Sequence, residues 1–318
     1  MTKTMLSIIT PALNEAQSLP ALRARLESTL RALNIDWEWI IVDDGSGDGT
    51  YALVRQWAAT DQRIRGARLS RNYGSHAALT CGLKLARGEA IAFLAADLQD
   101  PPEIIAELFT RWRAGTHVVW AVPQRRSGAV LRTLYYAMLR RGNGLAGQPL
   151  EGGDMVLIDR AVAAVLLASE ERHSSLFARI RLTGFAQASV SYCKEPRRNG
   201  HSGWTLRKKL KLALDSLTGF DHALVRGMTY LGLAVAAAGF MLAIYVVVHA
   251  FAGEPPTGWS LMMIAIFILG GVQMIFLGVL GEYAWRTLDE TRGRPLYVVE
   301  AMTDGEPIND APGAALRR

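Results

Sequence analysis

Two apolar segments near the C-terminal end constrain this chain more than any other feature of its sequence. Neither residues 227–251 nor residues 257–281 contain a single Asp, Glu, Lys or Arg. Each run of about 25 residues is long enough, as an α-helix, to cross the hydrocarbon core of a bilayer. Two buried core helices are the alternative, but core helices are usually shorter and carry a polar face. Because Gly and Pro at 252–257 break the helix, the sequence predicts a transmembrane hairpin.

Basic residues flank both ends of this hairpin, whereas the loop between its spans contains none. They are Arg207, Lys208, Lys209, Lys211 and Arg226 before the first span, and Arg286, Arg292 and Arg294 after the second. The positive-inside rule then places both termini in the cytoplasm. Residues 205–217 carry leucines at helical spacing beside a basic face. Next to a membrane span, this pattern favours an amphipathic helix on anionic headgroups over a surface helix or a nucleic-acid contact.

The remaining sequence divides around the hairpin. The first ten residues contain one Lys and too short an apolar stretch for a signal peptide. We therefore expect a domain at 1–204, a juxtamembrane amphipathic helix at 205–223, the hairpin at 224–285 and a cytoplasmic tail at 286–318. The tail is expected to be loosely ordered after Glu300. Two cysteines in 318 residues exclude a small secreted domain stapled by disulfides.

Strand-like and helix-like segments alternate through the first 122 residues. The predicted strands are Leu6–Thr10, Trp37–Val42, Ile64–Leu69, Glu89–Leu94 and His117–Val122. The predicted helices are Leu19–Leu33, Thr50–Ala59, Ser75–Ala86 and Pro102–Arg113. Such alternation predicts a mostly parallel sheet covered by helices on both faces. In that architecture, ligands bind beyond the carboxyl ends of the strands.

Three of the predicted strands run into acidic or amide-containing turns. The turns are Pro-Ala-Leu-Asn-Glu at 11–15, Asp-Asp-Gly-Ser-Gly-Asp-Gly-Thr at 43–50 and Asp-Leu-Gln-Asp-Pro-Pro-Glu at 97–103. One acidic turn is ordinary, because Asp and Gly form turns and cap helices. Three of them at the ligand-binding edge of a sheet indicate a binding site.

The glycines in these turns do not match the common nucleotide-binding motifs. The sequence has no phosphate-binding loop, and Gly-Ser-Gly-Asp-Gly at 45–49 is not the dinucleotide fingerprint. Carboxylates at this edge would repel a bare diphosphate, whereas a divalent cation held by them would bridge to it. Asp and Gln oxygens suit Mg²⁺ or Mn²⁺.

The ordered set of turns resembles glycosyltransferase family 2, whose catalytic domain has the GT-A fold. The similarity continues through Leu-Ser-Arg-Asn-Tyr-Gly at 69–74, Gly-Asp at 153–154, Gly-His-Ser-Gly-Trp at 200–204, Gly-Glu-Tyr at 281–283 and Arg-Pro-Leu-Tyr at 294–297. With the hairpin, it indicates the polyprenyl-phosphate subgroup. That subgroup is similar to dolichol-phosphate mannose synthases and to bacterial undecaprenyl-phosphate glucosyl- and aminoarabinosyl-transferases.

The resemblance implies an α/β fold: a Rossmann-like GT-A domain followed by the interface helix and the hairpin. It implies an inverting transferase that moves a sugar from a nucleotide sugar to polyprenyl phosphate at the cytoplasmic face of a bacterial inner membrane. The product would supply envelope glycan modification. UDP is the preferred nucleotide by family frequency. A homo-oligomer, guessed to be a tetramer, is also implied, with residues 295–299 as an edge strand that pairs between subunits.

Site residues are carried over position by position. Those implied for nucleotide-sugar binding are Pro11, Asn14, Glu15, Asp43, Asp44 and Asp97. Those implied for the metal are Asp97 and Gln99, and those implied for the acceptor phosphate are Arg125, Arg126 and Arg132. Asp97 and Asp154 are the implied catalytic carboxylates. Asp154 either orients the acceptor or is an ordinary turn residue after two glycines.

Two positions depart from the family pattern. Ala95 stands where the family usually has the first Asp of its metal motif, and Val156 stands where an arginine often follows. Loss of one carboxylate does not require inactivity, because Mg²⁺ keeps water ligands and takes others from substrate phosphates. The change at Ala95 nevertheless motivates one alternative, a non-catalytic membrane protein that binds nucleotide sugars or scaffolds a glycan pathway. A transferase with a soluble or protein acceptor is another.

The chemistry of a phosphate acceptor fits the residues offered. A phosphate monoester has a second pKa of about 6, so the acceptor is largely dianionic at neutral pH and needs little help from a general base. Catalysis then depends on bringing two anions together and neutralising the departing diphosphate. The sequence supplies acidic and amide metal ligands on the donor side and arginines for the acceptor side. The six histidines show no metal-ligand spacing, and no nucleic-acid partner is expected.

Overall fold

A computed structural model describes residues 4–124, 155–168, 175–195 and 258–305, together with separate positions between 232 and 251. The chain forms two compact units. The first consists of Met1–Arg140, Leu145–Thr205 and Arg294–Arg318, and the second of Arg141–Gly144 and Leu206–Gly293.

An eight-stranded sheet forms the centre of the first unit. Its strands are β1 Met5–Ala12, β2 Asp36–Asp43, β3 Ile64–Leu69, β4 Ala90–Phe93, β5 Val118–Pro123, β6 Met155–Asp159, β7 Gln187–Tyr192 and β8 Val299–Met302. The spatial order is β7-β5-β6-β4-β1-β2-β3-β8. β6 runs antiparallel to β4 and β5, and β8 runs antiparallel to β3, whereas the other neighbouring pairs are parallel. The predicted mostly parallel α/β sheet is therefore confirmed.

Helices cover both faces of this sheet. They are α1 Leu19–Leu33, α2 Thr50–Thr60, α3 Ser75–Leu85, α4 Ile104–Arg113, α5 Arg160–Ala168 and α6 Leu176–Leu182. Successive side chains of a strand point to opposite faces of the sheet, so the strands contribute to two separate cores. Ile8 packs in the core beneath α1 and α4, whereas Ile9 packs in the core beneath α3. The central strands are buried on both faces, and in such sheets ligands bind at the loops that follow the carboxyl ends of the strands.

A strand covers Val299–Met302, so the described part of the tail, up to residue 305, is not loose as expected after Glu300. β8 pairs with β3 of the same chain. Immediately after it, Thr303 extends the pairing: Gly66 N donates to Thr303 Oγ1 at 2.8 Å, and Thr303 N donates to Gly66 O at 3.0 Å. The predicted edge strand at 295–299 instead begins at Val299, and the partner described here is β3. These partners lie far away in sequence, so local composition gave no sign of them.

The second unit contains α7, at Trp259–Thr291, the longest helix among the described residues. Its 33 residues extend to about 50 Å at 1.5 Å per residue, and the helix continues past the predicted end of the second span at 281. Large apolar side chains are exposed along it, among them Met262, Ile266, Leu269, Met274 and Leu277. Within the residues described here, no helix combines the length and the apolar composition of a membrane span. The interface helix and about half of the first span lie outside the described residues.

Candidate functional site

The loops that follow β1 and β2 are bonded to each other at the carboxyl edge of the sheet. Asn14 N donates to Ser46 Oγ at 2.9 Å, and Gly47 N donates to Asn14 Oδ1 at 2.9 Å. Glu15 N donates to Thr50 Oγ1 at 3.0 Å. Asn14 has a φ of 57°, in the left-handed region that Asn tolerates better than most residues. The structure thus brings these two predicted turns together as one ledge beside the end of β1.

The two aspartates at the end of β2 organise the neighbouring loops. Asp43 Oδ1 accepts a hydrogen bond from Ser46 N at 3.1 Å. Asp44 accepts from Tyr73 N at 2.7 Å and from Gly74 N at 2.9 Å, one bond to each carboxylate oxygen. Asp44 therefore fixes the loop that leads from β3 into α3. Its bonds to the backbone give it a structural task in addition to any contact with a ligand.

Asp43 and Arg68 form a long ion pair beside this ledge. Among the described residues, Asp43 Oδ2 and Arg68 Nε are buried atoms with no hydrogen-bond partner. They lie 3.6 Å apart, and Arg68 Nε is also 3.4 Å from Glu300 Oε2. The guanidinium carbon of Arg68 lies 5.9 Å from the centroid of the Tyr51 ring. Buried polar atoms rarely lack a hydrogen bond, so this pair is a candidate contact for a ligand.

Burial controls the protonation of both aspartates. Desolvation raises the pKa of Asp43, opposed by its bonds from Ser46 and by the charge of Arg68. Desolvation also raises the pKa of Asp44, opposed by the bonds from Tyr73 and Gly74. In the folded protein, each carboxyl group therefore keeps its proton to a higher pH than in the unfolded chain.

A pH series should reveal these raised pKa values. Between the ordinary carboxyl pKa, about 4, and the raised value, the folded state binds more protons, so the free energy of unfolding falls as pH rises. Asp44→Asn removes the Asp44 contribution, so the deficit in stability of this variant should shrink as pH rises. Asp61→Asn is the opposite control, because Arg63 lowers the pKa of Asp61. The stability deficit of Asp61→Asn should therefore grow as pH rises. Denaturant unfolding at several pH values measures both, and parallel curves for the two variants would contradict the assignment.

The predicted metal-binding turn follows β4. Gln99 N donates to Asp97 Oδ1 at 3.2 Å, and the intervening Leu98 has a φ of 58°. Among the residues described, no three His, Cys, Asp or Glu side chains come together as metal ligands. One carboxylate and one amide fit a cation that keeps water and diphosphate oxygens as its other ligands, but not a site formed entirely by protein. The methyl side chain of Ala95 offers no metal ligand.

Of the remaining predicted site residues, the structure describes one, Pro11, and leaves four outside the described residues. Pro11 lies near the end of β1 and pairs with Val42 of β2, so it belongs to the same edge. Outside the described residues lie Asp154, Arg125, Arg126 and Arg132.

Comparisons with known proteins agree with this arrangement. The sequence profile of glycosyl transferase family 2 matches residues 7–159. An uncharacterised glycosyltransferase of Bacillus subtilis is 32% identical across 92% of this chain and 93% of its own length. The SfII prophage-derived bactoprenol glucosyl transferase of Shigella flexneri is 30% identical across 95% of this chain and 99% of its own. The chain belongs to glycosyltransferase family 2, and the similarity to bactoprenol glucosyl transferases fits the predicted polyprenyl-phosphate subgroup.

A solved structure with a similar chain trace is the glucosyl-3-phosphoglycerate synthase of Mycobacterium tuberculosis, in complex with Mn²⁺, UDP and phosphoglyceric acid. It is 22% identical, covers 68% of this chain and 76% of its own, and superposes with a TM-score of 0.49.

Proposed function

We propose that this chain is an inverting glycosyltransferase that moves a sugar from a nucleotide sugar to a polyprenyl phosphate. The observation that carries the proposal is the similarity to a bactoprenol glucosyl transferase over 95% of the chain. In the reaction, an oxygen of the acceptor phosphate forms a bond to the anomeric carbon while the bond from that carbon to the diphosphate breaks. The nucleoside diphosphate leaves with the electron pair of the broken bond.

The nucleoside of the donor binds on the ledge at the ends of β1 and β2. A nucleobase that presents an N–H beside a carbonyl could donate to Asp43 Oδ2 and accept from Arg68 Nε, the two buried atoms that lie 3.6 Å apart without a hydrogen bond. Uracil and guanine both have such an edge, whereas cytosine and adenine do not. UDP- and GDP-sugars are therefore the donors to test first, with UDP preferred by family frequency.

The metal-binding turn acts on the diphosphate. Asp97, with Gln99, would hold Mg²⁺ or Mn²⁺, whose oxygen preference these side chains meet. When bound, the cation neutralises charge on the departing diphosphate. The methyl group at Ala95 leaves coordination positions to water and to the donor itself. The acceptor phosphate is assigned to Arg125, Arg126 and Arg132, with Asp154 orienting it.

A polyprenyl acceptor would account for the predicted hairpin after the catalytic domain. A polyprenyl chain stays in the bilayer, so the active site must work at the headgroup plane. We propose that residues 227–251 and 257–281 span a bacterial cytoplasmic membrane, with residues 205–217 on its inner surface. The absence of charge in both segments supports this, as do the exposed Met262 and Met274 side chains on α7. A homo-oligomer stays a prediction of the family resemblance.

Transfer to extracted lipid tests the function. Purified full-length protein in detergent is incubated with undecaprenyl phosphate and labelled UDP- or GDP-sugars, in the presence of Mg²⁺, Mn²⁺ or EDTA. We expect label in the organic phase, abolished by EDTA. Transfer that resists EDTA would contradict the metal assignment. Nucleotide-sugar binding without transfer would favour the binding-protein alternative, and label that stays in the aqueous phase would favour a soluble acceptor.

Gly45 provides a test of the nucleotide ledge. It has a φ of 73°, and a Cβ at this position would lie 2.6 Å from the carbonyl carbon of Arg71. Gly45→Ala should therefore cost about 1–2 kcal/mol in backbone strain alone, and should separate the loops after β2 and β3. We expect the affinity for UDP, measured by calorimetry with Mn²⁺ present, to fall by about tenfold.

The same loop offers a matched control for Gly45→Ala. A Cβ on Gly47 meets nothing within 4 Å. Gly47→Ala should therefore keep UDP affinity within about twofold, since surface substitutions usually cost under 0.5 kcal/mol. Equal losses in both variants would show that the loop is merely intolerant of substitution.

A further inference from the structure

The second half of the Asp-Leu-Gln-Asp-Pro-Pro-Glu turn is bonded to the chain that leaves β7. Asp100 is buried, with 2% of its surface exposed, and its Oδ1 accepts a hydrogen bond from the Tyr192 hydroxyl. Lys194 Nζ lies 3.6 Å from the same oxygen. Glu195 N donates to Gln99 O at 2.8 Å. Two consecutive residues of the turn are therefore held by residues 192–195.

Arg25 of α1 adds a second connection between the same segments. Its Nε and Nη2 donate to the two carboxylate oxygens of Glu103 at 2.9 and 2.7 Å. Its Nη1 and Nη2 donate to Glu195 at 3.0 and 2.7 Å. The two carboxylates raise the pKa of Arg25, against the effect of its partial burial. A guanidinium that bridges two carboxylates fixes their separation more firmly than a single surface pair.

The conformation of the turn explains why such connections are needed. Leu98 lies in the left-handed region with a φ of 58°, and its side chain is buried. This conformation is unfavourable for a residue with a Cβ. Strained backbone of this kind persists where the surrounding structure over-determines it. The contacts at Gln99, Asp100 and Glu103 supply that constraint immediately beside Asp97.

We infer that Asp100, Tyr192 and Glu195 are positioning residues that hold the turn in its metal- and donor-binding geometry. They act through Asp97 and Gln99 and do not contact the donor. The identity of the ligand rests on the proposed function, whereas the restraint on the turn does not. The chain that leaves β7 thereby acquires a role on the donor side of the site. It leads on to residues 200–204, which match the family only as a sequence motif.

Tyr192→Phe tests the inference because it removes the hydroxyl and keeps the ring. Hydrogen exchange followed by mass spectrometry, without ligand, should show faster exchange in the peptide that covers residues 97–100. Calorimetry with UDP and Mn²⁺ should show a dissociation constant about fivefold to tenfold higher, because the relaxed turn must be reordered on binding. In the transfer assay, the donor KM should rise by a similar factor while kcat changes by less than about twofold.

A control at the opposite edge of the sheet separates positioning from general stability. The buried Ser7 hydroxyl donates to Glu38 Oε1 at 2.6 Å and accepts from Gly88 N at 2.8 Å. Ser7→Ala removes a comparable buried hydroxyl and should lower the melting temperature without changing exchange at 97–100 or UDP affinity. If Tyr192→Phe does the same, the inference is overturned.

Two further outcomes keep the inference distinct from the proposed function. If Tyr192→Phe does not fold, Glu195→Gln is the alternative variant, because the Glu195 side chain is only half-buried. It should still accelerate hydrogen exchange at residues 97–100, and unchanged exchange there would overturn the inference. If the native protein transfers no sugar and binds no UDP, faster exchange in Tyr192→Phe would still support the restraint. In that case the proposed function fails and the positioning role of Tyr192 stands.

Discussion

Asp97→Asn should lower sugar transfer to polyprenyl phosphate by at least about hundredfold while leaving the protein folded. The substitution keeps the size of the side chain and its ability to accept from Gln99 N, a bond of 3.2 Å in the native protein. It removes the negative charge that would hold the divalent cation against the diphosphate. Removing one electrostatic contact to developing charge typically costs 10²- to 10³-fold, or about 3–4 kcal/mol of transition-state stabilisation. Initial rates with saturating donor and varied Mn²⁺ measure the loss.

The control for this experiment is another aspartate of the same sheet. Asp36 is exposed at the start of β2, at the opposite edge from the ledge. Asp36→Asn should therefore keep its activity within about twofold, as expected for a surface substitution. If Asp97→Asn also retained most of its activity, with the same Mn²⁺ dependence as the native protein, the metal assignment would be wrong. Loss of activity together with a fall in melting temperature well beyond that of Asp36→Asn would indicate misfolding instead.

Local patterns in the sequence were sufficient for the first half of the fold. α1 begins and ends where predicted, at Leu19 and Leu33, because buried leucines recur at helical spacing and Pro20 lies in the first turn. β3 also matches its predicted bounds of Ile64–Leu69. In both segments, the hydrophobic period and the flanking turn residues agree with the final structure. Tertiary contacts therefore did not change the local preference of either segment.

Long-range pairing was beyond the reach of these patterns. β6 enters the sheet antiparallel between β4 and β5, and nothing in Met155–Asp159 specifies that position. β8 joins the opposite edge, where Asp304 bonds to Arg65 across 239 residues of sequence. Such pairings depend on which edges remain open once the central strands have assembled. A single sequence does not encode them as a periodicity.

The candidate site divides in the same way. The position of Asp43, Asp44 and Asp97 at strand ends was predicted because turn chemistry is a local signal, whereas their roles came from the family resemblance. Arg68 was missed because β3 carries two arginines, Arg65 and Arg68, and the sequence does not show which of them lies at the ligand-binding edge. Tyr192 was missed for a different reason. Its hydroxyl acquires a role only through Asp100, 92 residues earlier, and no motif connects the two.

Arg65→Met should be the most destabilising single substitution proposed for this protein. The buried Arg65 donates from Nη1 to Glu38 Oε2 at 3.0 Å and to Leu85 O at 2.8 Å. Its Nε donates to Asp304 Oδ2 at 2.5 Å. Removing one partner of a buried ion pair leaves an uncompensated charge and costs about 3–5 kcal/mol. For a domain of this size, the melting temperature should fall by about 10 °C, measurable by thermal unfolding in detergent.

A double variant identifies the cause of that loss. Glu38 is 2% exposed and also accepts from Ser7 Oγ and from Arg87 N, each at 2.6 Å. Glu38→Gln combined with Arg65→Met removes both charges and keeps an acceptor for these donors, so it should be more stable than Arg65→Met alone. If the double variant were less stable than either single one, packing of the arginine stem would be the main contribution. Because this network lies at the amino edge of the sheet, neither variant should alter the affinity of the folded protein for UDP.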